Sequence, residues 1–221
     1  MQAAERTPLS RERVLRAAVE IADADGLPAV TMRRIGEALS AEAMSLYYHV
    51  ANKNALLDGL VDVLMEEITE AVGKLDPKPD WKAALRQQIL AARQVMLRHP
   101  WAPRLLESRT TMRPAVVLYH DGIVGLMRSG GFSNDLAHHA LHALGSRALG
   151  FSQELFDPGE AASDADMEMF AQMADQLPNL AGMLAEVAHD DPDSTIGWCD
   201  DQAEFEFALD LLLDGLERLN A

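Results

Sequence analysis

The sequence predicts an all-α chain, and three observations carry that prediction. Apolar residues recur at steps of three and four along segment after segment, the spacing that lines one side of a helix. Ser, Asn or Thr residues stand just ahead of several segments, where a side-chain oxygen can accept from a free amide of the first turn. Breaks bearing proline or glycine separate the segments, and no strand-like alternation of any length appears between them.

Ser10 caps a first helix, in which Val14, Leu15, Ala18, Ile21 and Ala22 form an apolar stripe that ends at Asp25-Gly26-Leu27-Pro28. Two short helices follow over 31–39 and 43–49. Asn52 opens a longer helix with Leu56, Leu57, Leu60, Val61, Leu64 and Ile68 on one side, running to about Val72. Gly73 and the proline-bearing segment 76–80 form a junction. Beyond it the spacing predicts helices over 81–98, over 103–109 opened by Pro103, and over 113–129 with Pro114 in the first turn, where proline is tolerated. Ser133 caps a helix over 134–156, weaker helices are expected over 164–176 and 179–188, and a last one covers 201–219. There Phe205, Leu209, Leu212, Leu216 and Leu219 alternate steps of four and three, a helix–helix seam. Leu211 and Leu213 lie off that seam and imply a second buried face, against a partner subunit.

With 221 residues, 48% of them apolar and 24% charged, the chain is globular and long enough to bury a sizeable core. No apolar run approaches the ~18 residues that span a bilayer, and the first thirteen residues hold no secretion-signal segment. Cys199 is the only cysteine, which excludes an internal disulfide or a cysteine zinc cage. These features predict a soluble cytoplasmic protein without a membrane partner. The net charge of −16 argues against a nucleic-acid binder, but the way the charge is distributed removes that objection. Residues 1–53 carry seven Lys/Arg and seven Asp/Glu, whereas residues 154–221 carry eighteen Asp/Glu and only Arg218. A cationic surface can therefore survive at the N-terminal end while the acidic bulk stays away from phosphates.

The stretch 31–53 supplies such a surface. Its second short helix holds the run Ser45-Leu46-Tyr47-Tyr48-His49, in which Leu46 alone is strongly apolar and can pin the helix to a core. Met44, Ser45, Tyr47, Tyr48 and His49 are left to project outward, with Arg33, Arg34 and Lys53 around them. Ile35, Leu39 and Leu46 are expected to hold the two helices together, and Ala38 to let them approach. A supporting helix followed by helix, break and helix is the helix-turn-helix arrangement, whose second helix enters a major groove about 12 Å wide. Thr31 can cap the first of the pair and offer its hydroxyl or amide to a phosphate. Asn52 starts the next helix with free amides, and Lys53 adds a charge beside them.

At these residues the sequence resembles the DNA-binding domain of the tetracycline-repressor (TetR) family. The element Leu-Tyr-x-His-x-x-x-Lys, here Leu46 to Lys53, carries the resemblance, which covers residues 9–70 most strongly. Trp81 and the stretch from Gly131-Phe132-Ser133 to Gly150 are similar, more weakly, to the regulatory domain of the tetracycline-repressor branch. The resemblance implies three parts: a helix-turn-helix domain over 1–53, a connecting helix over 54–73, and a larger helical domain over 74–221 that binds a ligand and dimerises. It implies that Arg33 and Ser45 contact bases and that Ala43 and Met44 meet thymine methyls. Thr31, Tyr47, Tyr48, His49 and Lys53 would clasp phosphates. The implied partners are double-stranded operator DNA, a small-molecule effector and a second copy of the chain. Most such proteins are repressors released from a pseudo-palindromic operator. At the turn the sequence departs from the family, which usually has glycine and then an aliphatic residue where Ser40-Ala41 stands here. Either Ser40 takes a left-handed backbone, or the junction is rebuilt with Ser40 capping the second helix early.

His138 and His142 lie one turn apart, with His139 between, a spacing that could chelate a metal. No carboxylate joins them in a protease-like pattern, and a role at a helix interface or in a ligand pocket is the better expectation. The expected pocket is lined by Gln88, Ala92, Trp101, Leu105, His138 and His142. Tetracycline repressors hold a drug–magnesium complex with a histidine from the short helix near 103–109. This chain has Leu105-Leu106-Glu107 there, so neither metal nor cofactor is expected, although Glu154 falls where that branch carries an acidic residue. No catalytic grouping emerges, since Cys199 has no histidine close in sequence and no glycine loop could cradle a phosphate. The rival reading is a helical small-molecule- or metal-binding protein, or an enzyme, that keeps a vestigial DNA-binding head.

Overall fold

The structure, a computed structural model, describes residues 8–74, 80–109, 113–150 and 201–221, together with residues 176, 178 and 179. The described elements are all helical: α1 (Arg11–Asp25), a 3-10 turn (Leu27–Ala29), α2 (Met32–Leu39), α3 (Ala43–Leu46), α4 (Lys53–Gly73), α5 (Trp81–Arg98), α6 (Ala102–Ser108), α7 (Pro114–Ser129), α8 (Asn134–Gly150) and α9 (Asp201–Asn220). The expected helices over 164–176 and 179–188 fall, apart from residues 176, 178 and 179, outside the described residues, as do residues 151–156, Glu154 and Cys199. Two compact units form, Met1–Leu141 and His142–Ala221.

The helix starts follow capping chemistry. Ser10 accepts from the Arg13 amide, Thr31 from Arg34, Asn52 from Ala55, Asp80 from Ala83 and Ser133 from Leu136, at 2.8–3.2 Å. Each bond satisfies one of the four amides that a helix start leaves without a partner. α6 begins one residue earlier than expected and keeps Pro103 in its first turn.

In the first unit α1 packs on α2 and α4, α2 on α3, and α4 in turn on α5, α6 and α7. One apolar core runs through it, from Val14 and Ile35 past Leu46, Leu56 and Leu60 to Val95, Trp101 and Leu105. α1 and α4 pack tightly at Gly59, where a Cβ would overlap the buried Leu15 side chain. Farther along α4, Asp62 accepts from Arg113, which stands ahead of α7, at 2.6 Å and from Arg11 of α1 at 3.2 Å. Asp58 pairs with Arg109 at 2.7 Å. Trp81 meets the edge of Phe132, with ring centroids 4.6 Å apart and 72° between planes, and a Cβ at Gly130 would overlap its indole.

Three sequence expectations are corrected. The close approach between α2 and α3 is made at Gly36, not Ala38, which is exposed. A Cβ on Gly36 would stand 2.7 Å from the Ala41 carbonyl oxygen, a backbone atom that cannot step aside. α3 stops at Leu46 instead of His49, because the chain tightens there: the His49 and Val50 amides both donate to the Leu46 carbonyl at 2.9 Å. The seam of α9 runs through Phe205, Leu209, Leu213 and Leu216, all buried, while Leu212 is half-buried and Leu219 exposed. Taking a step of four from Leu209 to Leu213 follows the 3.6-residue turn of a straight helix more closely than a strict alternation of steps.

Of the two backbones open to Ser40, the turn between α2 and α3 adopts the left-handed one. Ser40 has φ 51° and ψ 44°, and is the only non-glycine residue with positive φ among those described. Its amide donates to Glu37 at 3.2 Å and the Ala41 amide to Gly36 at 2.9 Å, so the turn closes α2 and does not open α3. A left-handed residue with a Cβ costs about 1–2 kcal/mol, of which glycine would return part to the unfolded chain's entropy. Ser40→Gly should therefore raise the unfolding free energy by about 0.5–1 kcal/mol, read as a higher urea midpoint at unchanged slope. A midpoint that stayed or fell would mean that the serine conformation carries no strain.

Candidate nucleic-acid interface

Leu46 and Ile35 are both 0% exposed and anchor a two-helix corner to the core from within. What that anchoring leaves outside is a polar-aromatic surface. Tyr48 is 92% exposed, Met44 74% and Tyr47 43%. Thr31, Arg33 and Lys53 are exposed too, whereas Ala43, Ser45 and His49 are half-buried. All nine residues expected at a DNA surface therefore stand on α2, on α3 with its closing turn, at the cap of α2 or at the start of α4. None is buried in the core.

Several of these groups already have work to do in the free protein. The Arg33 Nε–H donates to Glu37 at 2.9 Å, one turn on, which leaves the Nη edge of the guanidinium for a further partner. That hydrogen bond, helped by the charge of Glu37, holds the guanidinium above its already high ordinary pKa, so Arg33 is a permanent cation. Ser45 Oγ donates to the Glu42 carbonyl at 2.6 Å and keeps its lone pairs. Thr31 Oγ1 accepts from the Arg34 amide, and its own proton remains to offer. Lys53 Nζ donates to the Val30 carbonyl, tying the start of α4 to the residue before the α2 cap. An ammonium carries three donors, so this bond spends one of them. Arg34 bonds to Asp25 at the end of α1 and helps fasten α2 to its support.

The arrangement suits a duplex. An exposed arginine fork can read the paired acceptors of guanine, hydroxyls and an imidazole can hold phosphates, and a helix of this width fits the major groove. Glu37, which holds Arg33, and Gly36, which lets the turn close on α2, are the supporting residues that sequence reasoning missed. Opposite charges at i and i+4 announce the first. A lone glycine inside a helical pattern hints at the second.

The six residues expected to line a pocket are placed less uniformly. Ala92, Trp101 and Leu105 are buried in one apolar cluster. Gln88 is half-buried and faces α7, with its amide nitrogen 4.0 Å from the position of a Cβ at Gly122. The Trp101 indole N–H is engaged by Asp23 of α1 at 2.6 Å. His138 and His142 are exposed, and the His138 ring lies edge-on to His139 with centroids 5.6 Å apart. Half-buried Tyr119 packs against the same cluster, and burial pushes its hydroxyl up to about 12, so it is a hydrogen-bond donor at neutral pH. Among the described residues no group of three His, Cys, Asp or Glu is gathered to hold a metal ion, and no helix is long and apolar enough to cross a membrane.

Comparison with known proteins gives the same picture from another side. Residues 14–60 match the family model of bacterial regulatory proteins, tetR family, and residues 75–219 match the tetracyclin repressor-like C-terminal domain. The HTH-type transcriptional repressor DrrR1 of Streptomyces coeruleorubidus is 30% identical, over 96% of this chain and 79% of its own. Among solved structures, a possible TetR family transcriptional regulator from Streptomyces coelicolor A3(2) superposes with a TM-score of 0.74 at 28% identity, covering 95% of this chain and all of that one. The TetR family protein ActR of Streptomyces coelicolor, solved in complex with (S)-DNPA, does so with a TM-score of 0.71 at 25% identity, over 97% and 100% of the two chains.

Proposed function

This chain belongs to the TetR family of ligand-responsive transcriptional regulators, and we propose that it is a homodimeric repressor that binds a pseudo-palindromic operator in cytoplasmic double-stranded DNA and leaves it when a small molecule binds. One observation carries this reading. The face of α2, α3 and the turn closing α3 that points away from the core presents Arg33, Met44, Tyr47 and Tyr48, while the apolar residues Ile35 and Leu46 of the two helices are wholly buried. Arg33 and Ser45 read bases, Ala43 and Met44 meet thymine methyls, and Thr31, Tyr47, Tyr48, His49 and Lys53 hold phosphates. The domains divide as 1–53 for the reading head, 54–73 for the connecting helix and 74–221 for the effector and dimer domain.

The effector occupies a mostly apolar site to which Gln88, Ala92, Trp101, Leu105, His138 and His142 contribute. That ActR holds a small molecule within the same fold supports such a site. Release follows if the effector binds more tightly to a conformer whose two heads no longer match the operator, since differential affinity alone shifts such an equilibrium. α9 supports the second copy. Behind its buried seam, Phe207 and Leu211, one turn apart, are 63% and 55% exposed, an apolar surface that suits a second copy. α8 and α9 are the helices proposed to pair across the dimer.

The test is a duplex selected by the protein from a random-sequence pool, followed by fluorescence anisotropy at several salt concentrations. Arg33→Ala should weaken discrimination of guanine at one position per half-site by about 1–3 kcal/mol. Tyr47→Phe and Lys53→Ala should weaken binding to all sequences evenly, and Lys53→Ala should also reduce its salt dependence. Sedimentation should give a dimer, and Leu211→Glu a monomer. If Arg33→Ala, Tyr47→Phe and Lys53→Ala all bound like the parent, the interface would have to lie elsewhere.

A further inference from the structure

His99, at the corner between α5 and α6, is the one buried polar side chain among the described residues, 6% exposed. Its Nδ1 lies 2.8 Å from Asp23 Oδ1 on α1, and its Nε2 3.1 Å from Glu67 Oε2 on α4. Two neighbours close the arrangement: Trp101 Nε1 donates to the same Asp23 oxygen at 2.6 Å, and Arg98 to the same Glu67 oxygen at 3.0 Å. Burial opposes ionisation of Glu67, but the hydrogen bonds from His99 and Arg98 outweigh it and hold the carboxyl below its ordinary range. A carboxylate only accepts, so both contacts are hydrogen bonds only if the ring carries two protons; a neutral ring would set a lone pair against one of them.

We propose that His99 is a positioning residue for operator recognition: bridging Asp23 and Glu67 through its two ring nitrogens, it holds α1, and the reading pair α2–α3 packed against it, at one orientation on α4 and the α5–α6 corner. The proposal rests on the DNA-binding reading above. Elsewhere α1 and α4 meet through the exposed Arg11–Asp62 ion pair at 3.2 Å and through apolar contact, as at Leu15 and Gly59, and apolar contact resists separation but allows sliding and rotation. Charge-assisted hydrogen bonds are directional and define an angle. An angle matters because two half-sites on a duplex stand about 34–36 Å apart per helical turn, and each head must meet its own in register. Ion pairs gathered around one buried ring are weak as a source of stability, and specifying one geometry is a better-attested use for them.

Three duplexes decide the matter: the one selected by the parent protein, the same one with a base pair inserted or removed between half-sites, and a single half-site. His99→Gln, whose two N–H bonds share one nitrogen and cannot reproduce donors at two separated ring positions, should lose about ten-fold in affinity for the selected duplex, in the lower range of coupling between sites. It should keep half-site affinity within about two-fold and discriminate less against altered spacing. Asp23→Asn should do the same. The ring 15N resonances of His99, assigned by their loss in His99→Gln, should report two protonated nitrogens in the parent. Folded variants with the parent's spacing preference, or a singly protonated ring, overturn the proposal. So does failure of both variants to fold, which would make His99 a residue of stability alone. A parent protein that selects no duplex would instead bring down the DNA-binding reading, and this proposal with it.

Discussion

Leu46→Ala should lower the unfolding free energy by about 2–5 kcal/mol, the usual cost of truncating a fully buried leucine, and should abolish operator binding even where the chain stays folded. α3 has four residues and no side-chain cap, since Glu42 makes no capping bond. A helix that short has no stability of its own in water. Its place depends on the 0%-exposed Leu46 side chain and on the turn that follows. Without the isobutyl group, Met44, Tyr47 and Tyr48 lose the platform that presents them. Urea denaturation measures the stability loss, and anisotropy well below the transition measures binding by molecules that remain folded. Tyr48→Ala is the matched control, because a side chain 92% exposed in the free protein should change stability by no more than about 0.5 kcal/mol. Parent-like affinity in Leu46→Ala would mean that α3 is held by something other than its one apolar residue.

Phe132→Ala should cost about 3–5 kcal/mol, again for a side chain with no exposed surface. Part of that loss is the edge-on contact with Trp81, worth about 0.5–1.5 kcal/mol beyond the area buried. The remainder comes from a cavity that the backbone cannot easily close. The Phe132 amide donates to the Met127 carbonyl at 3.2 Å, and its carbonyl accepts from Arg128, so the α7–α8 connection is held from both sides. Phe132→Leu should restore most of the stability, to within about 1.5 kcal/mol. Unlike Leu46→Ala, Phe132→Ala touches no residue of the reading face, so half-site affinity below its transition should match the parent's. A lowered half-site affinity would show that the α7–α8 connection shapes the head as well.

The two substitutions differ in how visible they were beforehand. Leu46 could be identified as the anchor of α3 because its neighbours are polar or aromatic and its role follows from a five-residue pattern. Phe132 could be noticed only beside Trp81, fifty-one positions away, and no local pattern says that the two rings meet. The turn at Ser40 lies between these cases. Its sequence left two backbones open, and the choice was made by Gly36, whose missing Cβ lets the Ala41 carbonyl sit against α2. Once that carbonyl is in place, Ser40 has to turn left-handed, whatever its own preference.

The sequence by itself determined the all-helical class, the capped starts of α1, α2, α4 and α8, and the polar-aromatic side chains that Leu46 leaves outside the core. All of these depend on residues within a turn or two of one another, where periodicity and capping chemistry act. The tertiary structure alone decided which small residue lets α2 and α3 approach and which leucines make the seam of α9. It alone brought Asp23, Glu67, Arg98, His99 and Trp101 into one cluster around a buried imidazole. Sequence separation hides such meetings. The burial that makes them energetically consequential exists only once α1, α4 and the α5–α6 corner have packed.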